Sequence, residues 1–350
     1  MKKYFAILLV IVLLGAGANA WGASNDGKNE VVVYNWSEYI PQDVLNDFTR
    51  ETGIKVVYST FESNEAMYAK VRLLGGRSYD IVVPSNYILE MMIKDKLLSP
   101  IDLSKLDNFK NLDPQLLNRD FDPKNQYSVP YMWGTTGLAY NSKYVSADKV
   151  AQWADLLRPE FKGKIILSDD LRDTFSLALC AKGLDPNTTK EADIQTAYQF
   201  LKELKPSVRV FDVTATKQTL ITEEVWLGTI WNGDFLVAQE ENEDLRFVYP
   251  AEGVIAWIDS FVILKEAPNK ENALTFINYM LRPEVAKRCI EEYYYSSPNL
   301  AGIALLDDEL RNNQVLVPTP EIMARMVVQE SVGEALSVYE SYWEKLKTDK

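Results

Sequence analysis

Short β-rich apolar runs alternate along the chain with stretches whose apolar residues recur at helical spacing. Residues 31–34 are an unbroken apolar run of strand length. Over residues 41–51, Val44, Leu45 and Phe48 share one helical face, and Gly53 supplies a stop. Residues 54–58 predict a second strand. Met67, Val71 and Leu74 then mark a helix that starts at Ser63 or Asn64 and ends at Gly75-Gly76. Residues 80–83 predict a third strand, cut by Pro84. Strand, helix, strand, helix, strand argues a parallel sheet covered by helices.

The alternation resumes further on. The pattern predicts strands at 164–167, 208–211, 225–231, 245–249 and 258–264, and helices at 173–182, 192–204, 235–241 and 270–281. A last helix carries Val332, Leu336, Tyr339, Trp343 and Leu346 on one stripe, which reads as packing surface. There is no internal sequence repeat and no Pro/Gly/Ser-rich linker. A chain of 350 residues accommodates two α/β domains, and a chain that crosses between them more than once leaves no linker to see.

The first residues stand apart. Lys2 and Lys3 precede an apolar run from Tyr4 to Leu14, and Ala18-Asn19-Ala20 has the small-x-small form of a cleavage site. Residues 1–20 therefore read as a secretory signal peptide, with a second candidate cut after Ala23. No Cys lies nearby to take a lipid anchor, and no later apolar run approaches the roughly 20 residues of a membrane span. The expected mature protein is exported and soluble. Its two cysteines, Cys180 and Cys289, have no CxxC partner. They could form one disulfide if close enough, but Cys180 sits in an apolar run and reads as a buried free thiol.

Composition narrows the chemistry. Acids outnumber bases 50 to 37, with no basic run, which argues against nucleic acid as a partner. His is absent, which removes His-based triads, His zinc sites and the commonest general base. There remain carboxylates with 19 Tyr and 8 Trp, a stock suited to holding a cation.

Ligands in open α/β sheets sit beyond the carboxyl ends of strands and between domains. At those ends stand Trp36-Ser37-Glu38-Tyr39, Ser85-Asn86-Tyr87, Asp169-Asp170 with Asp173, Trp231-Asn232-Gly233-Asp234, Trp257-Ile258-Asp259 and Tyr293-Tyr294-Tyr295. Arg172 is the exception among them. A carboxylate–ammonium hydrogen bond is worth about 1.5–3 kcal/mol, and a cation over a Trp or Tyr face about 0.5–2 kcal/mol. Methylenes also pack between flat rings. Alternating rings and acids thus suit a linear polyamine. Singly, each ring could be a core edge and each acid a solvated face or a helix N-terminal group.

Seven stretches carry a specific resemblance: Tyr34 to Tyr39, Glu51 to Val56, Glu62 to Glu65, Tyr79 to Ser85, Asn111 to Pro114, Trp231 to Gly233 and Leu281 to Pro283. In order, over nearly all of the mature chain, they resemble the periplasmic spermidine/putrescine-binding components of polyamine ABC transporters. The resemblance implies a two-lobed α/β fold of the type II periplasmic-binding class, each lobe a mixed sheet flanked by helices, with ligand in the interlobe cleft. It implies lobe I at 28–134 with 257–302 and lobe II at 135–256 with 303–350. It implies a binding protein and not an enzyme, monomeric, without cofactor or metal, whose partners are the polyamine and a membrane ABC permease.

The same resemblance assigns the cage. Trp36, Tyr39, Tyr87, Trp231, Trp257 and Tyr295 supply rings. Asp170 and Asp259 hold ammonium groups, Glu38 and Gln329 hydrogen-bond toward the ligand, and Ser37 and Ser85 are polar neighbours. Asp173 stands where the spermidine binders have Glu, one methylene longer, and Ser37 where they have Thr. The polar contact of the family near Val213 and Thr214 is not preserved. Tyr39, Tyr87 and Trp257 lean toward the spermidine type, while the shorter Asp173 leaves spermidine against putrescine open. Two other readings stay in view. One is a ferric-iron binder using adjacent tyrosines such as Tyr293-Tyr294-Tyr295. The other is a secreted glycosidase using paired carboxylates such as Asp170 and Asp173, whose spacing would have to fall near about 5–5.5 or 6.5–9.5 Å.

Overall fold

The computed structural model describes residues 29–348; the leader predicted at 1–20 lies outside them. The first predicted series forms as read: β1 (Glu30–Trp36), α1 (Gln42–Thr52), β2 (Lys55–Phe61), α2 (Asn64–Leu74) and β3 (Ile81–Val82). Local chemistry sets the ends. Gly53 takes φ 72° at the end of α1, a backbone state that costs a glycine little. The Ser63 hydroxyl accepts from the Ala66 N–H and caps α2. Two elements follow that periodicity did not reveal, α3 (Asn86–Lys94) and the long strand β4 (Ser128–Asn141). Pro130, Gly134 and Gly137 make β4 look like turns, yet it pairs on both edges, with its register shifting between Pro130 and Met132. A bulge is where a strand tolerates proline.

The main further elements are β5 (Ile165–Leu167), α4 (Leu171–Ala181), α5 (Glu191–Leu204), β6 (Val208–Phe211), α6 (Thr216–Ile221), β7 (Leu227–Trp231), α7 (Asn232–Glu241), β8 (Leu245–Val248), β9 (Val254–Ile263), α8 (Lys270–Met280), α9 (Pro283–Tyr293), β10 (Met326–Val328) and a C-terminal helix (Leu336–Thr348). The C-terminal stripe holds from Leu336 onward. Val332 precedes the helix and still packs into the same core.

The sheet order explains the fold. Strands β2, β1 and β3 are parallel and are followed by antiparallel β9. Strands β6, β5 and β7 are parallel and are followed by antiparallel β4. The two halves therefore share one arrangement that the sequence does not display as a repeat. Strands β4 and β9 join them, paired antiparallel from Ser128↔Val262 to Thr136↔Ile255.

The apolar core is divided in the same way. One cluster gathers residues from Val31 to Met132 and from Trp257 to Tyr295, including the edge-to-face pair Phe48–Phe276 at 5.1 Å. A second holds α4, α5 and the C-terminal helix around Phe175, Trp153 and Tyr339, and a third surrounds Phe235. Each fully buried Phe contributes about 1.5–3 kcal/mol, so each half carries its own core. Cys180 and Cys289 are both free and buried, and they belong to different cores. Among the described residues, no helix is long and apolar enough to cross a membrane.

Candidate functional site

Parallel strands expose backbone and loop residues at their carboxyl ends. The ends of β1, β3, β5 and β7 meet between the two halves around a cavity, the place where open α/β folds take small ligands. Twelve of the thirteen residues expected from the sequence line it, the exception being Glu38.

One wall hangs from β1, β3 and β9. Trp36 is fixed by its indole N–H, which donates to the Val83 carbonyl at 3.0 Å. Asp259 projects from β9 and accepts from the Tyr39 hydroxyl at 2.6 Å and the Ser85 hydroxyl at 2.6 Å. Asn64 supports this group, donating to Ser85 Oγ at 3.0 Å and to the Tyr87 oxygen at 3.1 Å. Ser37 donates to Glu62 at 3.1 Å, and both line the cavity.

The facing wall hangs from α4, β7 and the segment after β10. Asp170 is the N-cap of α4 and accepts from the Asp173 N–H at 2.8 Å. One Asp173 oxygen accepts from Trp231 Nε1 at 2.8 Å and Thr136 Oγ1 at 2.9 Å, and the other from Gln329 Nε2 at 3.0 Å. Gln329 reaches it because β10 runs parallel to β9 and the Gln329 N–H continues that ladder onto the Ala256 carbonyl.

The rings form a continuous tilted series. Trp36 meets Trp231 with centroids at 6.3 Å, Trp231 meets Trp257 at 6.4 Å, Trp257 meets Tyr295 at 5.7 Å, and Tyr295 meets Tyr39 at 5.2 Å. Edge-to-face contacts of this kind hold the rings while leaving π faces for a guest. Two glycines make the room. A Cβ on Gly134 would stand 2.5 Å from the Trp257 ring, and one on Gly233 would stand 2.7 Å from the Tyr295 ring.

Burial dominates the electrostatics. Asp259 is pushed up to about 7 by desolvation, against the opposing bonds from Ser85 and Tyr39. Asp173 is raised by burial despite its three donors. Asp170 and Glu65 are raised by burial first; the charge of Asp173 adds to it at Asp170, and the charge of Asp170 at Glu65. Buried carboxylates held in this state gain from a cation placed among them.

Arg172 does not fill that need from inside the cavity. Its guanidinium lies behind Tyr87 and near Tyr339, 5.2 and 5.7 Å from the ring centroids, and donates to the Glu330 carbonyl and to Asn187. Glu38 takes φ 49°, and its exposed side chain pairs with Lys217 at the border of the cavity. Lys217 also stands 3.4 Å from Asp234. Sequence reasoning gave no role to Glu62, Asn64, Glu65, Lys217 or Asp234. Glu62, Asn64, Glu65 and Asp234 stood inside quoted motifs, but Lys217 lay in a stretch with no signal.

The three consecutive tyrosines diverge. Tyr293 packs on the first core, Tyr294 takes φ 56° and donates to Glu240, and Tyr295 enters the cavity. Among the described residues, no cluster of three or more His, Cys, Asp or Glu is placed to hold a metal ion.

Comparison with known proteins agrees with this geometry. Residues 43–316 match the family of bacterial extracellular solute-binding proteins. The chain is 46% identical over 347 residues to the spermidine/putrescine-binding periplasmic protein of Escherichia coli K12, covering 99% of each. It is 32% identical over 369 residues to a putrescine-binding periplasmic protein of the same organism, covering 100% of this chain and 99% of that one. Among solved structures, a spermidine/putrescine ABC transporter protein of Listeria monocytogenes superposes with a TM-score of 0.89 at 36% identity, covering 92% of this chain and 100% of that one. A chain built around one interlobe cavity and aligned end to end with such relatives belongs to the bacterial extracellular solute-binding protein family.

Proposed function

We propose that this chain captures a polyamine, spermidine or putrescine, in the interlobe cavity and delivers it to the membrane permease of an ABC transporter. One observation carries the reading. Among the described residues, the side chains lining the cavity include Asp170, Asp173, Asp259 and Glu62 and a ring of Trp and Tyr, but no Lys or Arg. Four acids in a half-enclosed aromatic cage are matched by a flexible chain of methylenes bearing ammonium groups. The names of the relatives point to the same ligand class and to the periplasm.

In this reading Asp259 holds one ammonium, with Tyr39 and Ser85 orienting it. Asp170 and Asp173 hold another, with Gln329 and Trp231 fixing Asp173. Trp36, Tyr39, Tyr87, Trp231, Trp257 and Tyr295 sandwich the methylenes. The lobes comprise 28–134 with 257–302 and 135–256 with 303–350. Two of these boundaries fall inside the joining strands, where Gly134 pairs with Trp257 and Thr135 with Ala256, so the hinge is a pair of registered backbones. The protein acts as a monomer, carries out no reaction, and presents its closed form to the permease.

Calorimetric titration with putrescine, cadaverine, spermidine and spermine tests this. Saturable one-to-one binding of putrescine or spermidine is expected. Absence of binding by all four overturns the reading.

A further inference from the structure

We propose that Lys217 is a resident cation that sets the length of polyamine the cleft accepts, favouring a diamine over a triamine. The proposal rests on the polyamine reading above and refines it.

Lys217 lies in the first turn of α6, beyond the carboxyl end of β6. Its ammonium pairs with the Glu38 carboxylate, which comes from the loop after β1, and lies 3.4 Å from Asp234 in α7. Asp234 is well shielded, with a side chain 14% exposed, and accepts from the Tyr295 hydroxyl at 3.0 Å. The Lys217 side chain is itself only 19% exposed. Burial works against its charge, but Asp234 and Glu38 outweigh that and hold the ammonium above its ordinary value.

This trio borders the cavity at one end. Tyr295 lines the cavity and feels the charges of Asp234, Glu38 and Asp259, while Tyr87 feels those of Glu65 and Asp170. The Tyr87 end and Asp259 offer carboxylates that no ammonium among the described residues engages. The Tyr295 end already has its ammonium, tethered to the chain, so no freely moving ligand entropy is spent to place it. A third ammonium arriving there would meet Lys217 at close range and find Glu38 and Asp234 committed. A diamine spanning Asp259 and the Asp170–Asp173 pair meets no such conflict. Glu38, expected to face the ligand, is engaged by the protein itself.

The test compares putrescine and spermidine by calorimetry on the wild-type chain, on Lys217→Gln and on the double variant Lys217→Gln with Asp234→Asn, with thermal melting to confirm folding. The wild type is expected to bind putrescine more tightly than spermidine. Lys217→Gln strands Asp234 and Glu38, and the spermidine-to-putrescine affinity ratio is expected to rise about tenfold, the scale of one charge-assisted contact. The double variant restores the local charge balance and should return the ratio to within about threefold of wild type. A ratio unchanged in folded Lys217→Gln overturns the proposal. So does a double variant that keeps the full gain, which would make the effect one of space and not charge. A wild type that prefers spermidine strongly overturns it without any variant. Failure of the wild type to bind either amine removes the polyamine reading itself, a distinct result.

Discussion

At the scale of single residues, the cavity is a set of carboxylates kept from water and provided with donors. Asp259 is the clearest case, held by two hydroxyls and by no cation among the described residues. On the proposed reading, removing it would strand the ligand ammonium in a dry site, whereas Ser85→Ala would remove one orienting bond. Asp259→Ala is expected to weaken polyamine binding by about 10- to 150-fold, corresponding to about 1.5–3 kcal/mol, and Ser85→Ala by less than about tenfold. Equal losses in the two variants would contradict these roles. The pH dependence has a definite sign. Asp259 is raised from its ordinary 3.8 to about 7 in the ligand-free fold. Its neutral form favours folding, so this contribution is complete below about 3.8 and lost as pH climbs past about 7. The ligand needs the ionised form, while its own ammonium groups, like that of lysine, stay charged to about pH 10. Affinity should therefore rise from pH 5 to pH 8, with protons released on binding near pH 6; calorimetry in buffers of different ionisation enthalpy reads this directly. Flat affinity across that range would show Asp259 already ionised. At this scale the sequence was informative because aromatic and acidic residues cluster at strand ends. Asn64 and Lys217 escaped it because a lone Asn at a helix start and a lone Lys in a stretch without apolar period look like ordinary surface chemistry until the chain is folded.

At the scale of elements, the strands and helices of the first half were legible because apolar period and stop residues agree: Val44, Leu45 and Phe48 with Gly53, or Met67 and Val71 with Gly75. Strand β4 was illegible for the opposite reason. Its glycines answer to tertiary contacts and not to turns. Gly134 makes way for Trp257 and Asn232, and Gly137 for Phe247 and Val248. Helix α9 was likewise hidden, its start marked only by Pro283 at the first turn. This gives β4 a direct part in the site. In Gly134→Ala the new methyl would lie 2.5 Å from the Trp257 ring and 2.6 Å from Asn232 Oδ1. One of them must move, at a cost of about 1–3 kcal/mol for overpacking. We expect polyamine affinity to fall at least about fivefold and tryptophan fluorescence to change, with folding retained. Unaltered binding and fluorescence would mean that the ring does not need its present seat.

At the scale of the whole molecule, the two walls are held by different cores and joined by two strands. Asp259, Tyr39 and Trp36 belong with the first core, and Asp170 and Asp173 with the second. Direct links between the walls include Asn86 donating to the Gln329 carbonyl, Arg172 against Tyr87, the Trp36–Trp231 and Trp231–Trp257 contacts, the Tyr295–Asp234 hydrogen bond and the Lys217–Glu38 pair. A ligand can shift an open–closed balance only by the difference in its affinity for the two states, and here that difference comes from touching both walls at once. Saturating polyamine should therefore reduce the radius of gyration in small-angle scattering. It should also raise the melting temperature, by about 2.7 kcal/mol of added stability at a hundredfold excess over Kd. The decisive case is the variant Asp170→Ala with Asp173→Ala. It leaves the Asp259 wall intact, so polyamine still binds there weakly, but it deprives the second lobe of its charged grip. Even at ligand concentrations that saturate this variant, the contraction should be lost or strongly reduced. Full contraction would show that closure is driven by the apolar faces of Trp231 and Trp257, with the carboxylates serving affinity alone.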